Sequence, residues 1–342
     1  MSEHKEIKIS IIVAIYNVGN YVEKCIKSIQ GQTFKDIQLI LVDDGSTDNS
    51  FEICKKLAEK DERIEIIHQK NKGLVAARKS GLAVAKGEYV GYVDGDDFVE
   101  PDMYEKMYKL ISKENADILA VGYKRDSNGE LYINVNEIPS GVYAGEKLGQ
   151  IYSSMLFNGC YFKSGIIPSV WSKLFRRELL ETVQMKVDDV IRMGEDAACT
   201  YPALLLANKI VIDNSNCSYH YRYVPNSMTV TIDRSYFERA SKLFRRLDSA
   251  FEKKEKLNRQ LEYYKVRIID LHMRLIWTRR NKMTFKQKKA EMESFYQMLN
   301  EYPNYKRMQL PIVIKMQGVA IEHKLFWLMP ILISIEKGMK IG

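Results

Sequence analysis

No two of the five cysteines (Cys25, Cys54, Cys160, Cys199 and Cys217) stand in a C-x-x-C pair. The sequence therefore offers neither a zinc site nor a disulfide framework, and a reducing compartment fits it. The stretch from Met1 to Lys8 is polar and lacks the apolar core of a secretory signal. No run reaches the ~18 to 20 consecutive apolar residues that a membrane-spanning helix needs, so the expected location is the cytoplasm. Two phosphate-binding signatures are missing as well: no G-x-G-x-x-G follows the first apolar run, and G-x-x-x-x-G-K-[ST] occurs nowhere. Dinucleotide and P-loop ATP binding lose support, so metal and basic side chains must neutralise any diphosphate.

What is present is the composition of a folded chain, 46% hydrophobic and 28% charged, and its 342 residues are enough for two units. The formal charge of +8 is unevenly placed. Residues 241–342 hold 22 Lys and Arg against 10 Asp and Glu, and residues 1–240 hold 30 against 34, which makes them +12 and −4. A basic C-terminal part of this kind either meets an anionic partner, membrane lipid or nucleic acid, or is a solvated helix surface.

The first half alternates β-rich runs (Ile7 to Ile15, Ile37 to Val42, Ile64 to Ile67, Tyr89 to Val93, Ile118 to Tyr123) with helical patterns. That alternation predicts an α/β fold with a mainly parallel sheet flanked by helices. Ligands in such sheets sit at the carboxyl ends of the strands, where Tyr16-Asn17, Asp43-Asp44 and Asp94 to Asp97 fall. Residues 124–168 read as irregular, with a turn at Asn128-Gly129, and as an acceptor-side insertion. Beyond Asp233 helical patterns such as Leu243, Leu247 and Phe251 take over, giving an expected division into residues 1–233 and a basic, mainly helical 234–342.

Asp94-Gly95-Asp96-Asp97 ends an apolar strand and presents the hard oxygen ligands that Mg2+ or Mn2+ prefers. The plainer alternative is an acidic turn in which Asp97 caps the next helix. Arg78 lies on the helix before this strand, placed for a diphosphate or else simply exposed.

Five ordered motifs together resemble the family 2 glycosyltransferases of the GT-A fold. They are Ile11-Ile12-Val13-Ala14-Ile15-Tyr16-Asn17, Gln32-Thr33, Val42 to Asp48, Asn71 to Gly81, and Asp94 to Asp97. The resemblance continues through Val170 to Phe175, Gly194-Glu195-Asp196 and Tyr219-His220-Tyr221-Arg222 with Ser227, covering residues 7–230. It implies a Rossmann-like GT-A domain and an inverting, metal-dependent transfer of sugar from a nucleotide diphosphate-sugar, most often a uridine diphosphate (UDP) sugar. The implied acceptor is a hydroxyl of a glycan or lipid-linked glycan, in the synthesis of a bacterial capsule or exopolysaccharide.

The same resemblance assigns roles. Tyr16, at the strand end that also holds Ala14, faces the nucleobase, and Asp43 accepts the uracil imide hydrogen. Asn71 and Arg78 hold the nucleoside diphosphate, with Arg222 and Ser227 near it. Asp94 contacts ribose or metal, and Asp96 is the direct ligand of Mn2+ or Mg2+. Asp196 is the general base, with Glu195 as the alternative. His220 is a further metal ligand or part of a packed aromatic strand. Trp171 stacks on an acceptor sugar and Lys173 meets an acceptor phosphate, against the plainer readings of core packing and an exposed lysine. Two positions depart from the pattern: Ala14 stands where the family often has proline, and Lys79 where asparagine commonly follows the arginine.

The apolar stretch Lys324 to Ile335, interrupted by Pro330, is too short to cross a bilayer. With the +12 charge it reads as peripheral attachment to the anionic inner face of the cell membrane, or as a contact with the catalytic domain or with a second copy in a homo-oligomer. Nucleic acid is not an expected partner. A nucleotidyltransferase would need a glycine-rich basic loop where Tyr16-Asn17-Val18-Gly19-Asn20 stands. A degenerate, membrane-associated scaffold is disfavoured because every expected carboxylate is present.

Overall fold

A computed structural model describes residues 6–127, 130–160, 163–224, 235–252, 255–277, 283–301 and 308–338. The chain forms two compact units, one of Met1–Tyr152 with Ile166–Val224, the other of Ser153–Gly165 with Pro225–Gly342. The expected division at 233 lies outside the described residues.

The first unit runs β1 (Ile9–Ile15), α1 (Val22–Gln30), β2 (Ile37–Asp43), α2 (Ser50–Ala58), β3 (Ile64–His68), α3 (Leu74–Ala83) and β4 (Tyr89–Asp94). It continues with β5 (Phe98–Val99), α4 (Met103–Glu114), β6 (Ile118–Val121), β7 (Tyr123–Ser127), β8 (Glu130–Asn134), β9 (Gly141–Ala144) and α5 (Leu148–Tyr152). After residue 166 come β10 (Lys173–Arg176), α6 (Arg177–Gln184), α7 (Glu195–Leu206), β11 (Lys209–Asp213) and β12 (Tyr219–Arg222).

Eight strands form one sheet in the order β3-β2-β1-β4-β10-β6-β11-β9. β10 and β9 run antiparallel to their neighbours and the other pairings are parallel. The Ile- and Val-rich strands β1 and β2 are buried almost end to end, as expected where helices cover both faces. α3 lies close over β1 and β2. A Cβ on Gly81 would come within 2.5 Å of Ile12 Cγ2 and 3.1 Å of Val42 Cγ2, so glycine is what permits this approach. Parallel register sets Ile15 beside Asp43 and Ala14 beside Asp94. Three polar strand ends thus arrive side by side, as the alternation predicts.

A second sheet has the order β5-β12-β7-β8. It corrects the expectation that residues 124–168 are irregular: they contain β8, β9, α5 and most of β7. β7 and β8 pair antiparallel, Ser127 opposite Glu130, while the turn residues Asn128 and Gly129 lie outside the described residues. The hairpin turn read at Asn128-Gly129 agrees with this pairing, while its strands go unread because Leu131, Tyr132 and Ile133 are all exposed, without the period-two burial that marks a half-covered strand.

The second unit holds α8 (Tyr236–Phe251), α9 (Glu255–Ile276), α10 (Phe285–Glu301), α11 (Ile312–Glu322) and α12 (Met329–Gly338), with a 3-10 turn at Phe326–Leu328. α8 buries Tyr236, Ala240, Leu243, Phe244, Leu247 and Phe251, the helical spacing seen in the sequence. Leu156 and Phe157 belong here because both backbone N–H groups donate to Gln260 Oε1, at 3.1 and 3.4 Å, and Phe157 stacks on Tyr263 with ring centroids 4.0 Å apart. Across α9, α11 and α12, Arg274 pairs with Asp270 at 3.1 Å and with Glu336, which also accepts from Gln317 Nε2 at 2.9 Å.

Candidate active site

Asp43, the last residue of β2, is fully buried. His68 Nδ1 lies 2.7 Å from its Oδ2, and Oδ1 has no hydrogen-bond partner. Asp44 does structural work instead: it accepts from Gln69 Nε2 at 2.7 Å and from the backbone N–H groups of Lys72 at 2.9 Å and Gly73 at 2.7 Å. Those bonds shape the loop that carries the exposed Asn71. Gly45, at φ +73°, lets the two loops meet, since a Cβ there would sit 2.8 Å from Asn71 N. At the end of β1, Tyr16 is half exposed and Ala14 is partly covered. Asn17 takes a left-handed φ of 52° and accepts through Oδ1 from Thr47 N at 2.7 Å.

The acidic turn after β4 divides its labour. Asp97 does not cap α4, whose N-cap is Asp102. It accepts from Tyr219 Oη at 2.7 Å and from Arg222 N at 2.7 Å, tying the turn to β12. Burial, then the charges of Asp94 and Asp96, push its carboxyl well above the usual range. The Asp96 carboxyl is raised by burial, opposed by its own backbone N–H and by Arg222. Arg222 is the cation left open here: its guanidinium carbon is 5.2 Å from the ring centroids of Tyr21 and Phe98, and its buried Nε and Nη2 have no partner.

Arg78 is 3% exposed and lies between two carboxylates, Nη1 2.5 Å from Asp196 Oδ1 and Nη2 3.2 Å from Asp94 Oδ1. Burial works against its charge, and Asp196, Asp94 and Glu195 overcome that, holding the guanidinium above its ordinary range. The side chain joins the acidic strand end, where the diphosphate is expected, to the start of α7. Burial pushes Asp94 up to about 6 against the pull of Arg78. Asp196 Oδ2 also accepts from Val170 N at 3.3 Å. Burial, and then Asp196, push Glu195 up to about 8. Next to Arg78, Lys79 pairs with Asp189 at 2.7 Å, so neighbouring residues of α3 grip the first turn of α7 and the segment before it.

Three other candidate residues are engaged within the protein. His220 faces Glu100, Nε2 to Oε1 3.1 Å, and stacks on Phe98 at 4.4 Å, so its nitrogen is engaged by the second sheet. Trp171 is 6% exposed, with Tyr219 stacked on it at 4.3 Å and Tyr123 edge-on at 4.8 Å; the face a sugar would use is covered. Lys173 is neither exposed nor open to a phosphate: its ammonium donates to Ile167 O at 2.6 Å, Ser169 O at 2.7 Å and Ser172 Oγ at 3.2 Å. Burial lowers its pKa to about 7, with Asp196 opposing. Ser227 lies outside the described residues.

Among the described residues no three His, Cys, Asp or Glu side chains form a ready cage for a metal. The donor set still fits an ion shared with a ligand: Asp96 supplies a carboxylate whose charge is met by Arg222, and Arg222 offers unpartnered donors for phosphate. Sequence reading missed His68, Asp189 and Tyr219 as organisers of the site, because each acts through a partner distant in the chain.

The family described as glycosyl transferase family 2 matches residues 10–183. Glycosyltransferase GlyA of Streptococcus pneumoniae serotype 4 is 38% identical over 229 residues, 65% of this chain and 31% of GlyA. Glycosyltransferase EpsJ of Bacillus subtilis is 36% identical over 226 residues, 65% of this chain and 62% of EpsJ, so the chain spans less than two thirds of either relative. Among solved structures, S. aureus TarS 1–349 in complex with UDP-GlcNAc superposes with a TM-score of 0.72 at 18% identity, covering 97% of this chain and 92% of that one.

Proposed function

The chain belongs to glycosyl transferase family 2, with its GT-A fold, and on that footing we propose that it transfers a sugar from a UDP-sugar to a hydroxyl of a glycan or lipid-linked acceptor in bacterial polysaccharide synthesis. One observation carries the reading: strand ends of the two sheets hold buried polar atoms without partners, of the kinds a nucleotide diphosphate needs. Asp43 Oδ1 is an unused acceptor for an imide N–H, and Arg222 Nε and Nη2 are unused donors for phosphate. The half-exposed ring of Tyr16 supports the base, and Asn71 reaches the nucleoside from the loop held by Asp44. The TarS structure, of the same fold, is in complex with UDP-GlcNAc.

Asp96 would hold a divalent ion, Mn2+ or Mg2+, which when bound would supply charge compensation for the departing diphosphate. Asp196 takes the proton of the acceptor hydroxyl as the acceptor oxygen bonds to the anomeric carbon. The bond from that carbon to the phosphate oxygen breaks, UDP leaves, and the anomeric configuration inverts. Arg78 fixes the orientation of Asp196, and Arg222 binds the diphosphate, with its charge directed at the leaving group. The reading is tested by calorimetry with a panel of nucleotide-sugars, with and without Mn2+ and with Asp96→Asn as control. Metal-dependent binding of a UDP-sugar is the expected result; a folded protein that binds no nucleotide-sugar defeats it.

A further inference from the structure

α11 and α12 pack together within the second unit, α11 burying Val313, Ile314, Ala320 and Ile321, and α12 with its preceding turn burying Phe326, Met329, Leu332 and Ile333. Those contacts satisfy the core. On a surface helix the remaining positions are ordinarily polar, yet here large apolar residues stand among them. Ile312, Met316 and Val319, at helical positions i, i+4 and i+7, are 65%, 49% and 49% exposed. Trp327, Ile331 and Ile335 are 62%, 54% and 49% exposed.

Beside this apolar surface the exposed charges are lysines, while the acidic Glu322 is half-buried. Lys315 and Lys324 are exposed, Glu336 is buried against Arg274 and Gln317, and residues 241–342 carry a net +12. An apolar face with basic residues beside it complements an anionic amphiphile better than an acidic soluble protein, which would leave the six large apolar side chains in water. Tryptophan at its edge suits the headgroup level. Among the described residues no helix is long and apolar enough to cross a membrane, so the fit is to a surface and not to a span.

We infer that the outward faces of α11, the Phe326–Leu328 turn and α12 form a membrane-docking surface, in which Ile312, Met316, Trp327 and Ile331 enter the boundary between headgroups and acyl chains of an anionic leaflet. Lys315 and Lys324 meet the headgroup phosphates. The inference uses no residue of the sugar-transfer site and stands or falls separately from that reading.

The test floats the full chain with vesicles of phosphatidylcholine alone or mixed with phosphatidylglycerol. The wild type binds the mixed vesicles, in a salt-sensitive way, and leaves the neutral ones. Ile312→Gln/Met316→Gln/Trp327→Gln/Ile331→Gln, all at exposed positions, lowers the partition at least about tenfold. Lys315→Glu and Lys324→Glu each lower it about fivefold or more. Tryptophan emission shifts to the blue on binding, and Trp327→Phe abolishes the shift. Unchanged flotation of the folded four-site variant overturns the inference. So does equal binding to neutral vesicles, or a wild type that binds no vesicle but sediments as a dimer which the four-site variant dissociates.

Discussion

Arg78 and Asp196, 118 residues apart in the chain, meet at 2.5 Å. The same guanidinium reaches Asp94 at 3.2 Å, so one buried cation serves the strand end expected to face the donor and the helix start expected to face the acceptor. Two halves of the proposed reaction are thereby held in fixed relation by a single side chain.

Arg78→Met is expected to cost about 3 to 5 kcal/mol of stability, because it leaves buried carboxylates without their counter-charge. Urea unfolding measures this. Arg78→Lys recovers only part, since a point charge cannot make both forked contacts. A neutral effect of Arg78→Met would mean that Asp94 and Asp196 are solvated separately.

Asp96→Asn and Asp196→Asn should separate binding from transfer. The first removes the carboxylate that faces the charge of Arg222, and metal-dependent UDP affinity falls. The second leaves donor affinity within about twofold while transfer drops at least about a hundredfold, the usual range for losing a general base. Equal loss of both properties in Asp196→Asn contradicts this division.

His68 holds Asp43 Oδ2 at 2.7 Å and leaves Oδ1 facing outward from that pair. His68→Ala is expected to weaken UDP binding about threefold to tenfold, the worth of one hydrogen bond, with the metal dependence unchanged. Asp43→Ala loses more, and it also loses the preference for UDP over GDP in calorimetric competition. His68→Gln, which can still donate to Asp43, restores part of the affinity.

Lys173→Met removes three donated bonds, taking from Ile167 O its ammonium donor and leaving Ser169 O with the longer bond from Ser172 Oγ at 3.3 Å. The expected cost is about 2 to 4 kcal/mol, read as a lowered unfolding midpoint. A variant as stable as wild type would show that the carbonyls find water.

Glu195 carries its proton to higher pH when folded, about 8 against an ordinary 4.5, chiefly through burial and then the nearby Asp196 charge. The folded state thus binds more protons than the unfolded one between those values. Its contribution to stability is complete below 4.5 and is lost as pH rises through 8. Glu195→Gln should flatten that part of the profile in melts recorded from pH 4.5 to 8.5. An unchanged slope assigns the titration elsewhere.

Much of the catalytic unit is legible in the sequence, because parallel strands buried on both faces must be runs of Ile and Val, and their ends are where the polar pairs fall. Asp43, Asp94 and Asp96 are found that way, and helical spacing likewise marks Leu243, Leu247 and Phe251. What stays illegible is partnership across distance. A lysine among apolar residues looks exposed until the carbonyls of Ile167 and Ser169 close over it. The pairing of His220 with Glu100, 120 residues away, is another that no local pattern marks. The antiparallel insertion of β10 between β4 and β6 breaks the strand-helix alternation without a local signal, because its direction is set by which edges remain free. The exposed hairpin β7–β8 has no burial pattern to announce it.

Asn17, in its left-handed conformation, braces the end of β1 to the loop after β2 through Thr47 N, while Ser46 Oγ accepts from the Asn17 N–H at 3.1 Å. The rim beside the proposed nucleobase site is therefore pre-organised by the chain's own hydrogen bonds before any ligand arrives. Little loop entropy is left to lose at encounter. Association at that rim should be fast and close to rigid-body, with selectivity residing in how long a nucleotide stays and not in how often it enters.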